Sequence, residues 1–143
     1  MSTIPKRSLS EMIDLLSHQF SQMESMTGRG VFKDLTMKQV YYLETLGQMN
    51  KPTYGEFATK LGLSKPSVTA IVNKLIKGGY VQTAQDKDDK RSSRISLTHR
   101  GQEINKIHRD MHGRFAQHIA TILDEEEQKA FANSLNKIIY SLL

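Results

Sequence analysis

The sequence predicts a mostly α-helical protein that carries one small β-hairpin. Apolar residues recur every three or four positions along most of its 143 residues, the spacing that gives a helix one buried stripe. Three Ser/Thr-x-x-Glu/Gln boxes stand where such stripes begin, and each can cap a helix by exchanging hydrogen bonds with the first turn. Tyr80 to Leu97 departs from helical spacing and reads as two short β-prone runs around a charged tip.

Ser8-Leu9-Ser10-Glu11 opens the first helix, striped by Leu9, Met12, Ile13, Leu16, Phe20 and Met23 and ended by Thr27-Gly28-Arg29-Gly30. Thr36-Met37-Lys38-Gln39 opens the second, which runs through Val40, Tyr41, Leu43 and Leu46. Asn50-Lys51-Pro52 stops it, because a residue before proline is pushed out of helical dihedrals. Thr53-Tyr54-Gly55-Glu56 opens a short third helix with Phe57, Ala58 and Leu61 inward, and that helix ends at Gly62.

A fourth helix starts behind Ser64, whose hydroxyl can accept from an unpaired first-turn amide, and runs to Gly78-Gly79. Pro66 is no obstacle there, since first-turn amides have no intrahelical acceptor to lose. Val68, Ile71, Val72, Leu75 and Ile76 gather on one side; Pro66, Thr69, Ala70, Asn73 and Lys77 occupy the other. Helix, tight turn and helix, followed by a hairpin, make a winged helix-turn-helix. Its second helix can lie in a DNA major groove.

Thr98 starts a long helix striped by Ile104, Ile107, Met111, Phe115, Ile119 and Ile122. Asp124 to Glu127 place negative charge at the start of a last helix, where the helix dipole favours it, and Phe131, Leu135, Ile138, Ile139 and Leu142 stripe that helix. These outer helices are more apolar than a small winged lobe can cover. The expectation is one domain over residues 1–143, with a DNA-binding lobe at 36–97 and a homodimer interface built from 8–27 and 98–143.

Cysteine is absent, which excludes disulfides and thiolate metal sites. No apolar run approaches the roughly 20 residues of a membrane span, and the N-terminus lacks a signal-peptide core. A cytoplasmic protein with no membrane partner is expected. The formal charge of +5 is concentrated: Lys51 to Leu97 holds nine basic and four acidic residues, and the remainder is neutral. That is the footprint of a phosphate binder. On the fourth helix Ser64, Lys65, Pro66, Ser67, Thr69, Asn73 and Lys74 are the candidate DNA contacts, with Lys87, Lys90 and Arg91 on the wing. Asn73 can pair with adenine, Thr69 can touch a thymine methyl, and Lys65 or Lys74 can reach phosphate or guanine. An Asp paired with Arg91 is expected to hold the wing tip in shape.

Leu61-Gly62-Leu63-Ser64, Val68 to Leu75, Gly79-Tyr80-Val81, the wing Asp86 to Arg91 and Leu97-Thr98-His99-Arg100-Gly101 together resemble the MarR family of winged-helix transcriptional regulators. The resemblance covers the chain in order and length. It implies a homodimer on a pseudo-palindromic operator, usually a repressor. Its affinity often changes when a ligand binds between the dimer helices and the DNA lobe. Two positions depart from the family pattern. Asp88 stands where the wing usually has its first Arg, which passes minor-groove insertion to Lys87 or Lys90 while the Asp89/Arg91 pair is retained. Ala70 stands where many members have Arg.

His108 and His112 are four apart on the long helix, half of a metal site that Glu24 can complete. Zinc-responsive members of the family are similar in these residues, although they also use a second-helix His where Tyr41 stands. A fatty-acid-synthesis subgroup is similar around Glu24, Arg29-Gly30, Phe32-Lys33-Asp34 and His108/His112, which implies acyl chains on a carrier protein as effector. Two further readings stay open. The pair can be hydrogen-bonded helix histidines, or the polar lining of an effector pocket made by Met23, Tyr41, Tyr42, Met111 and Phe115. His18, His99 and His118 read as surface or capping residues.

An enzyme is not expected: the chain has no Gly-rich phosphate loop, no cysteine nucleophile and no carboxylate pair beyond a solvated Glu125-Glu126-Glu127. The rival class is a winged helix used only for protein contact, since fold alone does not decide function. Concentration of all the net charge on the helix-turn-helix and wing argues against it.

Overall fold

Each predicted box closes. Ser8 Oγ accepts from the Glu11 amide at 3.3 Å while the Glu11 carboxylate accepts from the Ser8 amide at 2.7 Å. Thr36 with Gln39 and Thr53 with Glu56 repeat the exchange, and Asp124 with Glu127 adds a fourth. Each cap is worth about 1 kcal/mol. The computed structural model describes residues 6–27, 30 and 32–143, with the backbone alone for 24–27; Gly28 and Arg29, expected to end the first helix, lie outside the described residues.

Among the described residues the elements are α1 (Leu9–Thr27), α2 (Met37–Gln48), α3 (Tyr54–Leu61), α4 (Lys65–Lys77), β1 (Val81–Gln85), β2 (Ser93–Leu97), α5 (His99–Ile122) and α6 (Glu125–Leu142). The fold class is as expected, mostly helical with one β-wing. Two compact units share the chain, one ending at His108 and the other spanning Arg109–Leu143.

In the first unit, Leu43 and Leu46 of α2, Phe57 of α3, Val68, Val72 and Leu75 of α4, Tyr80, Val81, Ile95 and Ile104 form one buried core. α3 stops because Gly62 adopts φ 66°, left-handed backbone in which a side chain is strained. The Leu63 amide then closes the helix end on Ala58 O at 3.0 Å. β1 and β2 pair antiparallel from Val81↔Leu97 to Gln85↔Ser93. A bridge from Thr53 to Arg94 and an Ile95 N–H bond to Pro52 O at 2.8 Å add the α2–α3 connection to the edge of β2.

Tyr41 of α2 and Ile76 of α4 face out, and of these Ile76 is expected on the buried side. Tyr41 is 55% exposed and Ile76 39%. Both follow directly on a buried residue, Val40 and Leu75, and one step around a helix turns a side chain by about 100°. The buried lines are therefore Val40–Leu43–Leu46 and Val68–Val72–Leu75.

The start of α5 is locked to the end of α4. Thr98 donates its hydroxyl to Gly79 O at 2.6 Å and its amide to Tyr80 O at 3.0 Å. The Arg100 guanidinium lies 4.6 Å over the Tyr80 ring and donates to Gly78 O. Gly101 presses against the same turn: a Cβ there would stand 2.2 Å from Tyr80 O. Gly79-Tyr80-Val81 and Leu97 to Gly101, two separate stretches of sequence, are thus one joint.

In the second unit α6 buries no residue, and Phe131, Leu135, Ile138 and Ile139 are at least 40% exposed. α1, in the first unit, likewise exposes Leu9, Met12, Ile13, Leu15 and Leu16.

Replacing Gly101 by Ala forces Tyr80 or α5 to shift, and overpacking of this kind costs about 1–3 kcal/mol. Urea denaturation of G101A is expected to show that loss, and an unchanged midpoint would show that the joint yields freely.

Candidate nucleic-acid interface

α4 presents one polar face to solvent. Ser64, Lys65, Pro66, Ser67, Thr69, Asn73 and Lys74 are all exposed, while Val68, Val72 and Leu75 are buried beneath them. The N-cap is local chemistry: Ser64 Oγ accepts from the Ser67 amide at 3.3 Å and donates to the Ser67 hydroxyl at 2.9 Å. Thr69 is half committed, because its hydroxyl donates back to Lys65 O at 2.9 Å, leaving its methyl for an apolar contact.

The wing tip is built by its carboxylates. Asp86 accepts from the Asp88 amide at 3.2 Å, and Asp89 accepts from the Arg91 amide at 3.0 Å and the Ser92 hydroxyl at 3.2 Å. The expected Asp–Arg91 ion pair is therefore replaced by a bond to the Arg91 backbone. Asp89 turns the chain just as an Asx turn requires, and its oxygens are occupied. The ion pair of the wing is Asp86 with Arg94, whose Nε and Nη2 both lie 3.0 Å from Asp86 Oδ2. Lys87, Lys90 and Arg91 stay exposed and form no ion pair among the described residues.

Arg94 is the functional residue that local pattern did not single out. Besides Asp86 it donates to Lys51 O at 3.0 Å and comes within 3.8 Å of the Glu56 carboxylate. It thereby ties the hairpin to the α2–α3 connection and to the first turn of α3. The Asp88 amide, then the Arg94 guanidinium, holds the Asp86 carboxyl below its ordinary 3.8, and Asp86 raises Arg94 in return. Burial pushes the Tyr54 phenol above its ordinary value.

The MarR family model matches residues 35–93, from the loop before α2 to the start of β2. Among curated proteins the chain is 26% identical to the HTH-type transcriptional regulator PchR of Bacillus subtilis, over 99% of this chain and 92% of that one. Among solved structures it is similar to Streptococcus pneumoniae FabT in complex with DNA (TM-score 0.77, 21% identity, 93% of each chain). It is also similar to S. aureus MepR bound to ethidium bromide (TM-score 0.74, 23% identity, 96% of this chain and 98% of that one). The helix-turn-helix and most of the wing, residues 35–93, are thus of the MarR type. The chain is a winged-helix, DNA-binding transcriptional regulator rather than an enzyme.

The effector candidates of this MarR-type chain divide between the two units. In the first, Met23 is half-buried, and the Tyr41 and Tyr42 rings lie 6.0 Å apart with Tyr41 turned to solvent. In the second, Met111 is buried and Phe115 half-buried. His108 is buried, with Nδ1 2.6 Å from a Glu44 carboxylate oxygen and the Phe32 ring edge-on at 6.4 Å. His112 is exposed, and the Glu24 side chain lies outside the described residues. Among the described residues no three metal-ligating side chains gather. A recess of about 420 Å³ in the first unit is lined by Phe32, Leu35, Met37 and Val40, with Ser21, Gly30 and Lys33 at its polar parts. None of the five pocket residues named from sequence is among this described lining. Among the described residues no helix is long and apolar enough to cross a membrane.

A carboxylate held below its ordinary value stabilises the fold above that value and stops doing so as pH falls through the lowered one. Backbone hydrogen exchange in Asp86 to Arg94 is therefore expected to quicken only in acid below the ordinary 3.8. In D86N it is expected to be fast already at neutral pH, and equal protection in the two proteins would remove the ion pair from the account.

Proposed function

We propose that this regulator works in the cytoplasm as a homodimeric repressor on a pseudo-palindromic operator, with its DNA affinity set by an effector. One observation carries the reading. The exposed polar face of α4 and the uncommitted wing cations lie in a segment that holds all of the chain's net charge. Helix-turn-helix dimers read half-sites about one DNA turn apart, and symmetry in the protein then demands symmetry in the site. The exposed apolar faces of α1 and of α6 support a second copy as their cover, because apolar patches of this extent on a monomer mark contact surfaces.

Base reading in this account is spare. Asn73 supplies the hydrogen-bonding contact to a base edge, Thr69 an apolar one, and Ala70 nothing polar. Lys87 and Lys90 approach the minor groove, whose negative potential attracts cations irrespective of most of its sequence. DNA shape and half-site spacing supply the remainder of specificity. The effector best suited to the recess beside Phe32 is a small amphipathic molecule, its apolar part against Leu35, Met37 and Val40 and any negative charge toward Lys33. Acyl chains have that character. Ethidium, which MepR binds, shares the apolar part but not the charge.

A zinc-dependent reading rests on Glu24, His108 and His112. Glu44 holds His108 Nδ1 at 2.6 Å, the kind of carboxylate contact that orients metal-bound histidines. Zinc would then supply a bond between helices rather than catalysis. Stoichiometric zinc is expected to bind by calorimetry and to be lost in H108A. Absence of binding in the unaltered protein ends this reading.

The DNA reading is tested by titrating a duplex selected by the protein from a random pool, at two salt concentrations. Two chains per selected site and a steep loss of affinity with salt are expected; binding insensitive to salt would leave a protein-contact module as the better account. K87A/K90A is expected to weaken binding to all sequences alike by about tenfold. An unchanged affinity would take the wing out of the mechanism.

A further inference from the structure

A small polar recess of about 250 Å³ lies between the start of α3, the start of α4 and the base of the wing, lined by Thr53, Tyr54, Gly55, Lys65, Arg91 and the Ser92–Ser93 pair. Its two cations come from different elements. Lys65 reaches across to α3, so that a Cβ on Gly55 would stand 3.4 Å from Lys65 Cε and 3.9 Å from Nζ. Neither Lys65 nor Arg91 has an ion-pair partner among the described residues. The neighbouring acids are engaged elsewhere: Glu56 accepts from the Thr53 amide, Asp86 is held by Arg94, and Asp89 is bonded to the Arg91 amide and Ser92.

Lys65 is also badly placed for its own helix. It is the first residue of α4, where the helix dipole disfavours a cation by about 0.3–1 kcal/mol. An external anion seated against Lys65 removes that conflict and pairs with Arg91 at the same time. On the third side the Ser92 hydroxyl is committed to Asp89, and the Ser93 hydroxyl is suited to a remaining oxygen of a tetrahedral oxyanion. Gly55 matters because it leaves the floor open; a longer side chain there would grow toward Lys65 and fill the recess.

We propose that this recess seats one DNA backbone phosphate, held jointly by Lys65 and Arg91, so that the reading helix and the wing are registered on the duplex through a single shared group. The proposal rests on the DNA-binding reading above and adds to it a bridging site. One phosphate held from two elements fixes the angle between α4 in the major groove and the wing beside it. Phosphate contacts position a protein in this way without reading sequence.

Sharing has a measurable signature. The slope of log affinity against log salt counts neutralised phosphates, about 0.9 for each. If the two cations serve one phosphate, K65A and R91A alone each leave the slope nearly unchanged and weaken binding about fivefold. The double variant lowers the slope by about 0.9 per protomer. If they serve separate phosphates, each single variant lowers the slope and the double lowers it by the sum, which overturns the proposal. Slopes identical in all four proteins overturn it as well. A second variant, G55L, keeps both cations and fills the recess; with its urea midpoint unchanged or raised, it is expected to bind DNA about tenfold more weakly. Wild-type affinity in G55L is a refutation. Inorganic phosphate alone, followed by amide NMR shifts at Gly55 and Ser92, is expected to bind only at millimolar concentration; micromolar binding would make this a free-anion site instead. An unaltered protein that binds no duplex in a salt-dependent way refutes the DNA-binding reading itself, a result distinct from any of these.

Discussion

The Arg94 guanidinium joins three pieces of chain that would otherwise meet only through weak edges. Its two nitrogens on Asp86 Oδ2 close the base of the hairpin, its bond to Lys51 O fastens the α2–α3 connection, and Glu56 lies within reach on α3. A two-stranded hairpin is marginal alone in water. Here it gains the Ile95 to Pro52 bond and the Thr53↔Arg94 bridge as a third edge. A planar, permanently charged fork suits such a post in a way a lysine would not. The recess holding Lys65 and Arg91 lies beside two of the pieces this post ties together, the start of α3 and the wing.

The same economy governs the negative charges. Four acids lie in the basic segment, and at first sight they oppose DNA binding. Glu56, Asp86 and Asp89 are each engaged locally, to cap an amide, grip Arg94 or shape the tip. Asp88 stays exposed with the cations of the tip. Carboxylates bonded to amides and a guanidinium are held in place and compete less for Lys87, Lys90 and Arg91 than free ones would.

Features that depend on residues three or four apart were legible in the sequence. The Thr36, Thr53 and Ser8 boxes, the Ser64 cap, the break at Gly62 and the buried lines of α2 and α4 all follow from local spacing. Features that depend on distant pairing were not. Arg94 with Lys51 spans 43 positions, Asn105 with Leu43 spans 62, and His108 with Glu44 spans 64, separations over which no periodic pattern carries information. Asp89 illustrates the boundary: its role as a shaper of the wing tip was readable, but whether it would bind a side chain or a backbone amide was a matter of tenths of an ångström. Gly101 lay in a motif recognisable by resemblance, yet its cause, contact with the Tyr80 carbonyl, needed the fold.

α3 has eight residues and is capped at both ends. Isolated helices shorter than about 12–15 residues are marginal because nucleation costs more than so few bonds return. α3 therefore has no independent existence, and it forms when Phe57 and Ala58 are covered by the rest of the core. The presentation of α4 and the seat beside Gly55 inherit this dependence. A fragment cut to the helix-turn-helix alone would lose its fold along with its wing, and the nascent chain becomes competent for DNA only after β2 and the start of α5 have been synthesised.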